Sequence, residues 1–265
     1  MTSKSNNGKS GKKGPSGRSY RNDTGLTRQP KKMRGRKVSS QRWLTRQLND
    51  PFVAEAKARG FRSRAALKLE QIDDRYHLLA PGMSIVDLGC APGGWLQVAS
   101  IRTKLGSGPA RLVGIDLLPT EGVVGATLFE GDMTDPDMLE QVRNASGGAA
   151  DAVLSDMAAD TTGHRATDHL RTTALLEAAL DFALDVLTPD GFFLAKCFRG
   201  GAEKSVLDVM RRNFKTVRHV KPAASRAESV ESYVLATGFH GQGRADDIAA
   251  DIVAGRRDPS GRLID

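Results

Sequence analysis

Only two cysteines, Cys90 and Cys197, occur in 265 residues. That is too few for a disulfide framework or a cysteine metal cluster, so no metal is expected and a reducing cytoplasm is the simple location. No apolar run approaches the ~20 residues that span a bilayer. The opening stretch MTSKSNNGKSGKKGPSGRS has no apolar core, which excludes a secretory signal. It is basic and acid-poor like an organelle transit peptide, but it lacks the amphipathic apolar face of one. Acidic residues are also nearly missing at this end. Residues 1–50 contain 14 Lys or Arg against Asp23 and Asp50, a net of +12. The total of +8 therefore leaves −4 for the remaining 215 residues. The basicity belongs to a tail and not to the fold.

That tail, residues 1–45, is rich in Gly, Ser, Asn, Lys and Arg and has almost nothing to bury. It is expected to be disordered when free. A flexible cationic arm suits a polyanion, RNA above all, because each phosphate contact releases counterions. The plainer alternative is a solubilising tail without a specific partner.

Beyond the tail, the chain alternates between two periodicities. Trp43 to Gly60 and then FRSRAALKLEQIDDRY read as helices, the second with Ala65, Leu69 and Ile72 at helical spacing and Ser63 as an N-cap or first-turn residue. SIVDLG, RLVGIDLL, ATLFEGD, DAVLSDM and GFFLAKCF read as buried strands separated by helices, the last preceded by a long helix closed by Pro189 and Gly191. FKTVRHVKP and SYVLATGF have no helix between them and predict an antiparallel edge hairpin. The expectation is an α/β domain over 46–240, a mostly parallel seven-stranded sheet with helices on both faces, and then a C-terminal tail over 241–265. Ligands of such sheets bind beyond the carboxyl ends of the strands.

The turn after the first strand, Gly89-Cys90-Ala91-Pro92-Gly93-Gly94, narrows the ligand. Ala91 replaces the second glycine of a dinucleotide fingerprint, and Trp95 stands where a phosphate-binding loop needs lysine. The acids narrow it further. Asp116 ends the second strand, where a carboxylate can accept from both ribose hydroxyls. Asp132 ends the third and can accept from an adenine amine, or serve simply as a turn residue. Asp87 lies just before the turn. Three carboxylates around one cleft repel polyphosphate and suit an adenosine with a cationic tail, as in S-adenosylmethionine. Trp95 reads, on its own, as a helix packing residue.

Four polar residues sit in apolar surroundings: Lys68 in RAALKLEQI, Asp156 after AVLS, Lys196 after FFLA and Glu231 before SYVLATG. Singly, each could reach the surface along its stem. Together, two cations and two anions at element ends near one cleft point to mutual pairing. Methyl transfer to a hydroxyl requires a base, and a lysine serves only when neutral at that moment. Lys196 fits that role with Lys68 as its neighbouring cation, while Asp156 and Glu231 orient the lysines.

These stretches closely resemble the FtsJ-type family of RNA ribose 2′-O-methyltransferases, from about Phe61 to Phe239. The resemblance rests on RSRAALKLEQID, VDLGCAPGGW, GIDLLP, EGDMTD, LSDMA, FLAKCFRG and KPAASRAESVESYVLATG. It implies a Rossmann-like S-adenosylmethionine-dependent methyltransferase fold. It implies Lys68, Asp156, Lys196 and Glu231 as the catalytic tetrad, with Lys196 as base. It implies Gly93, Trp95, Asp116, Asp132 and Asp156 as cofactor positions. LSDMA and SRAESVESYVLATGF look like the bacterial branch. That likeness implies methylation of a uridine ribose in the A loop of 23S-type ribosomal RNA, on the assembled large subunit, by a monomer. One departure stands out: Ala159-Asp160 replaces the Pro-Asn usual after SDMA, which implies a looser loop from Ala158 to Thr167 with an added anion near RNA. The rival readings are a transfer-RNA or mitochondrial ribosomal RNA methyltransferase, or a non-catalytic RNA-binding assembly factor on the same fold. An NAD-dependent oxidoreductase is disfavoured by the Ala91-Pro92 turn.

Overall fold

The computed structural model describes residue 45 and residues 47–105, 110–159, 162–198, 204–226 and 229–241. The expectations for residues 1–44 and for the tail after 241 lie outside the described residues, as does Asp160. The chain divides into two units between Pro51 and Phe52, and the second contains the sheet.

Helices α1 (Pro51–Ala58) and α2 (Ala65–Tyr76) precede strand β1 (Ile85–Leu88). Then come α3 (Gly94–Thr103), β2 (Leu112–Asp116), β3 (Ala126–Glu130), α4 (Pro136–Ser146), β4 (Ala150–Ser155), α5 (Arg165–Val186), β5 (Leu187–Phe198), α6 (Lys204–Asn213), β6 (Phe214–Val220) and β7 (Glu231–Phe239). The sheet order is β3-β2-β1-β4-β5-β7-β6. The first five strands pair with one another in parallel. β7 runs antiparallel between β5 and β6, so the expected hairpin forms the edge. The order reverses at β1 and β4, and that switch point opens the crevice in which such sheets hold ligands.

Side-chain parity sorts the core into two layers, because successive strand residues face opposite ways. Val86, Leu88, Val113, Ile115, Val153, Phe193 and Ala195 pack on the layer that contains α4, α5 and α6. Ile85, Leu112, Leu154, Leu194, Tyr233 and Leu235 pack on the layer of α2 and α3. Local chemistry fixes the ends. The Asp135 side chain caps α4 by accepting from the Asp137 N–H at 3.0 Å, Pro136 opens the first turn, and Gly147 closes the helix in a left-handed conformation. Two expectations differ in detail. Arg64, not Ser63, is the N-cap of α2, and no side chain caps it. Ser63 is drawn instead under α3, where its Oγ lies 2.7 Å from where a Cβ on Gly94 would sit. And Pro189 does not separate α5 from the next strand. The helix passes directly into β5, whose pairing with β4 shifts register between Ala150 and Ala152.

Among the described residues no helix is long and apolar enough to cross a membrane.

Among the described glycines, Gly89 leaves the least room for a Cβ. Its φ is +76°, and a Cβ would lie 2.2 Å from Met157 Cγ. Gly89→Ala is expected to lose about 1–3 kcal/mol by combining left-handed strain with overpacking. Gly122→Ala, where a Cβ meets open space, is expected to be near neutral. Urea denaturation of both variants checks the contrast.

Candidate active site

Parity also gathers the polar residues. Asp87 shares the face of Ile85, Asp156 that of Leu154, Lys196 that of Leu194, and Glu231 and Tyr233 that of Leu235. All five face the layer of α2, whose Lys68 descends onto them. Pairing completes the convergence: Lys196 stands opposite Tyr233, and Phe198 opposite Glu231, on the antiparallel β5–β7 ladder.

The four predicted residues meet. Lys196 Nζ donates to the Asp156 backbone carbonyl at 2.6 Å and lies 2.9 Å from its Oδ1. Lys68 Nζ lies 2.7 Å from Glu231 Oε1 and 3.8 Å from Asp156 Oδ1. Lys196 Nζ is 4.0 Å from Glu231 Oε2. Lys68 and Lys196 are only 5% and 8% exposed, so these ion pairs are shielded from water. Burial alone would raise the carboxylates. The two lysines outweigh it, leaving Asp156 and Glu231 below the ordinary carboxylate range, with a Tyr233 hydrogen bond adding to the effect at Asp156.

Two members of this cluster were missed from the sequence. Tyr233, fully buried, donates its hydroxyl to Asp156 Oδ1 at 2.6 Å. Burial and the two adjacent carboxylates push its hydroxyl well above the ordinary phenol range, so it stays a donor. Ser225 Oγ donates to Glu231 Oε1 at 2.9 Å. Tyr233 was findable, since it comes two positions after Glu231 on a strand and must share its face. Ser225 was not, because its contact is made by the loop between β6 and β7.

Beside the tetrad lies a cavity of about 350 Å³, within the size range of small-ligand sites. Gly89, Ala91, Asp116, Asp132, Asp156 and Met157 are among its lining residues. Asp116 ends β2 with both oxygens engaged: Oδ2 accepts from the Ala91 N–H at 2.8 Å and Oδ1 from the Leu118 N–H at 2.9 Å. A carboxylate oxygen has more than one acceptor site, so Asp116 can still take ribose hydroxyls. Asp132 is an exposed turn residue. Its Oδ1 accepts from the Thr134 N–H and hydroxyl, both at 2.8 Å, which hold it below the ordinary range. Gly93 and Trp95 stand behind the cavity wall. The Trp95 indole is buried, donates to the Ala65 carbonyl at 2.8 Å, and packs 5.7 Å from the Tyr233 ring. As a side chain it anchors α3 to α2 and to the tetrad.

Asp87 is the unusual member. It is 1% exposed, and neither oxygen has a hydrogen-bond partner among the described residues. Burial, with Asp156 and Asp116 nearby, pushes it well above the ordinary carboxylate range. An orphaned buried carboxyl beside an acid-lined cavity fits a cationic ligand and disfavours a polyphosphate. The residues present therefore fit S-adenosylmethionine.

A family model described as "FtsJ-like methyltransferase" matches residues 61–239. The chain is 56% identical over 216 residues to "Ribosomal RNA large subunit methyltransferase E" of Granulibacter bethesdensis, covering 82% of this chain and 92% of that protein. It is 52% identical over 242 residues to the protein of the same name from Parvibaculum lavamentivorans, covering 89% and 93%. Among solved structures, a ribosomal RNA methyltransferase from Plasmodium falciparum superposes with a TM-score of 0.60 at 27% identity, covering 69% of this chain and all of that one.

Linkage sets the sign of the Asp87 effect. A raised folded value means stability is fully present below the unfolded value of ~3.9 and is lost as pH rises toward the folded value. Asp156 and Glu231, lowered, act the other way: their stability is present above ~4 and lost as pH falls. Asp87→Asn should therefore gain stability relative to wild type as pH rises from ~4 to ~7, by up to about 1.4 kcal/mol per pH unit. Urea denaturation of cofactor-free protein across that range reads it. Parallel curves would mean that Asp87 is ionised in the fold.

Proposed function

The chain belongs to the FtsJ-like methyltransferase family, and we propose that it methylates a ribose 2′-hydroxyl of large-subunit ribosomal RNA, with Lys196 as general base. The observation that carries the chemistry is the double hold on Lys196. Its amine meets two atoms of one residue, the carbonyl and the carboxylate of Asp156, at 2.6 and 2.9 Å. A neutral amine has two N–H donors and one lone pair. With both donors committed to Asp156, the lone pair has one direction left.

When bound, S-adenosylmethionine supplies a methyl on a sulfonium that leaves as a neutral thioether. Asp116 and Asp132 would hold its adenosine, and Asp87 and Asp156 suit its cationic end. Lys196 Nζ takes the proton from the 2′-hydroxyl. Lys68 shares the same two carboxylates, at 2.7 Å from Glu231 and 3.8 Å from Asp156. When Lys196 accepts the substrate proton, the cluster returns to two cations and two carboxylates. Glu231, braced by Ser225 and Tyr233, keeps Lys68 in place. Much of the remaining rate comes from holding hydroxyl and methyl in line. Gly93 and Trp95 contribute through backbone and packing.

The target we propose is the one the sequence resemblance implies: a uridine ribose in the A loop of 23S-type RNA on the assembled subunit. The names of the curated relatives support the large subunit. We place the protein in the cytoplasm, as a monomer whose chemistry resides in the domain 46–240 and whose basic residues 1–45 contact ribosomal RNA.

Large subunits from an unmethylated strain, incubated with labelled S-adenosylmethionine, should gain one methyl at an A-loop ribose mapped by ribose-methylation sequencing. Lys196→Ala should lower the rate by on the order of 10²–10⁴-fold while keeping the circular dichroism of wild type. Label on transfer RNA instead would move the target. No label on either would leave the assembly-factor reading. Deleting residues 1–40, which removes 12 Lys or Arg, should weaken subunit binding and flatten its salt dependence. An unchanged salt slope would sink the role of the arm.

A further inference from the structure

Two of the loops that wall the cavity meet at one side chain. One is the turn after β1, which supplies Gly89 and Ala91. The other is the segment after β2, which begins with Asp116, Leu117 and Leu118. That second loop spans residues 117–125 and exposes large apolar side chains, with Leu117 at 68% and Val124 at 83%. Its far end is held by Ser100 Oγ, which donates to the Val124 carbonyl at 2.9 Å.

The side chain of Arg62 reaches both. Its Nη1 donates to the Pro92 carbonyl at 3.1 Å and to the Glu121 carbonyl at 2.6 Å, and its Nη2 donates to the Gly122 carbonyl at 2.7 Å. Pro92 belongs to the first loop, and Glu121 and Gly122 to the second. The backbone of Arg62 is fixed in turn, because its N–H donates to Gln97 Oε1 on α3 at 2.9 Å. A planar guanidinium can reach three carbonyls at once, whereas an ammonium has one centre. Arg62 also lies just ahead of α2, six positions before Lys68.

Gly93 lies against this brace. A Cβ there would lie 2.6 Å from Arg62 Nη1, and 3.3 Å from Thr120 Cγ2 and Val123 Cγ2, with φ at +102°. Glycine leaves the seat in which the guanidinium lies.

We propose that Arg62 is a positioning residue that preorganises the two cofactor-binding loops. The proposal rests on the cavity being the S-adenosylmethionine site. Arg62 touches no reacting atom in this role. It sets where Asp116, Ala91 and Leu118 stand before the cofactor arrives, so its loss falls on cofactor affinity more than on turnover.

The test uses full-length wild type, Arg62→Ala and Arg62→Lys. S-adenosylmethionine binding is measured by calorimetry. Hydrogen exchange of residues 117–125 is measured without cofactor. KM for cofactor and kcat are measured on large subunits, and subunit binding is monitored against salt. Both variants should bind cofactor at least tenfold more weakly, exchange faster over 117–125, and lose more in KM than in kcat, with the salt slope of subunit binding unchanged. Lysine should not rescue, because it keeps the charge and loses the fork. Cofactor affinity unchanged in both variants overturns the proposal even if the loop exchanges faster. So does full rescue by lysine, which would make charge alone sufficient. A salt slope lower by about one in Arg62→Ala, with cofactor affinity intact, assigns Arg62 to an RNA phosphate instead and also overturns it. If Arg62→Ala does not fold, the cofactor affinity of Arg62→Lys decides. A wild type that binds no S-adenosylmethionine removes the reading of the cavity, and the brace with it.

Discussion

Two lysines and two carboxylates share one small, mostly dry volume at the carboxyl end of this sheet, and much else is arranged to make that tolerable. Burying an ionised amine or carboxylate alone is costly, and breaking a buried pair costs about 3–5 kcal/mol because it strands the partner. Here the charges balance, and neutral donors add to the lysines at the carboxylates. Tyr233 serves Asp156, Ser225 serves Glu231, and the Asp156 carbonyl takes a second donor from Lys196. The cluster is thus held by neighbours that belong to four different elements. Its geometry is a property of the assembled domain.

The inserted strand is what makes the cluster possible. A parallel β7 would bring its carboxyl end to the ligand crevice and place Phe239 there. Running antiparallel, it presents its first residue, Glu231, at the same end as Asp156 and Lys196. Parity then turns Glu231 and Tyr233 toward α2 together. Strand direction, which contributes nothing to the hydrophobic pattern, thereby decides whether the fourth charge arrives.

The adjoining cavity obeys a different logic, in which backbone donors and glycines do most of the shaping. Asp116 is held by the Ala91 and Leu118 amides, Gly89 yields to Met157, and Gly93 yields to Arg62. Asp87 is the exception, a buried carboxyl with no hydrogen-bond partner among the described residues. A group in that state is stabilised when a cation comes near, so binding and local stability are coupled there.

The layout of elements was legible in the sequence because it rests on periodicity and on Gly and Pro punctuation, which are local. The four charged residues were legible because lysine and glutamate inside apolar runs demand partners. Their mutual pairing was an inference from scarcity, and the partners themselves came only with the fold. Of the two roles read for Ser63, N-cap or first-turn residue, the cap falls to Arg64, because the helix begins one residue later. Trp95 looked like packing on its own residues, and its indole is indeed in the core, anchored to Ala65. Ser225 and Arg62 gave no signal, since Ser225 acts through the course of the loop before β7 and Arg62 through contacts to loops distant in the chain. The sequence by itself determined which residues could not be left alone. Tertiary structure decided which neighbour each one received, because that depends on strand direction and loop course, and neither is encoded in the spacing of apolar residues.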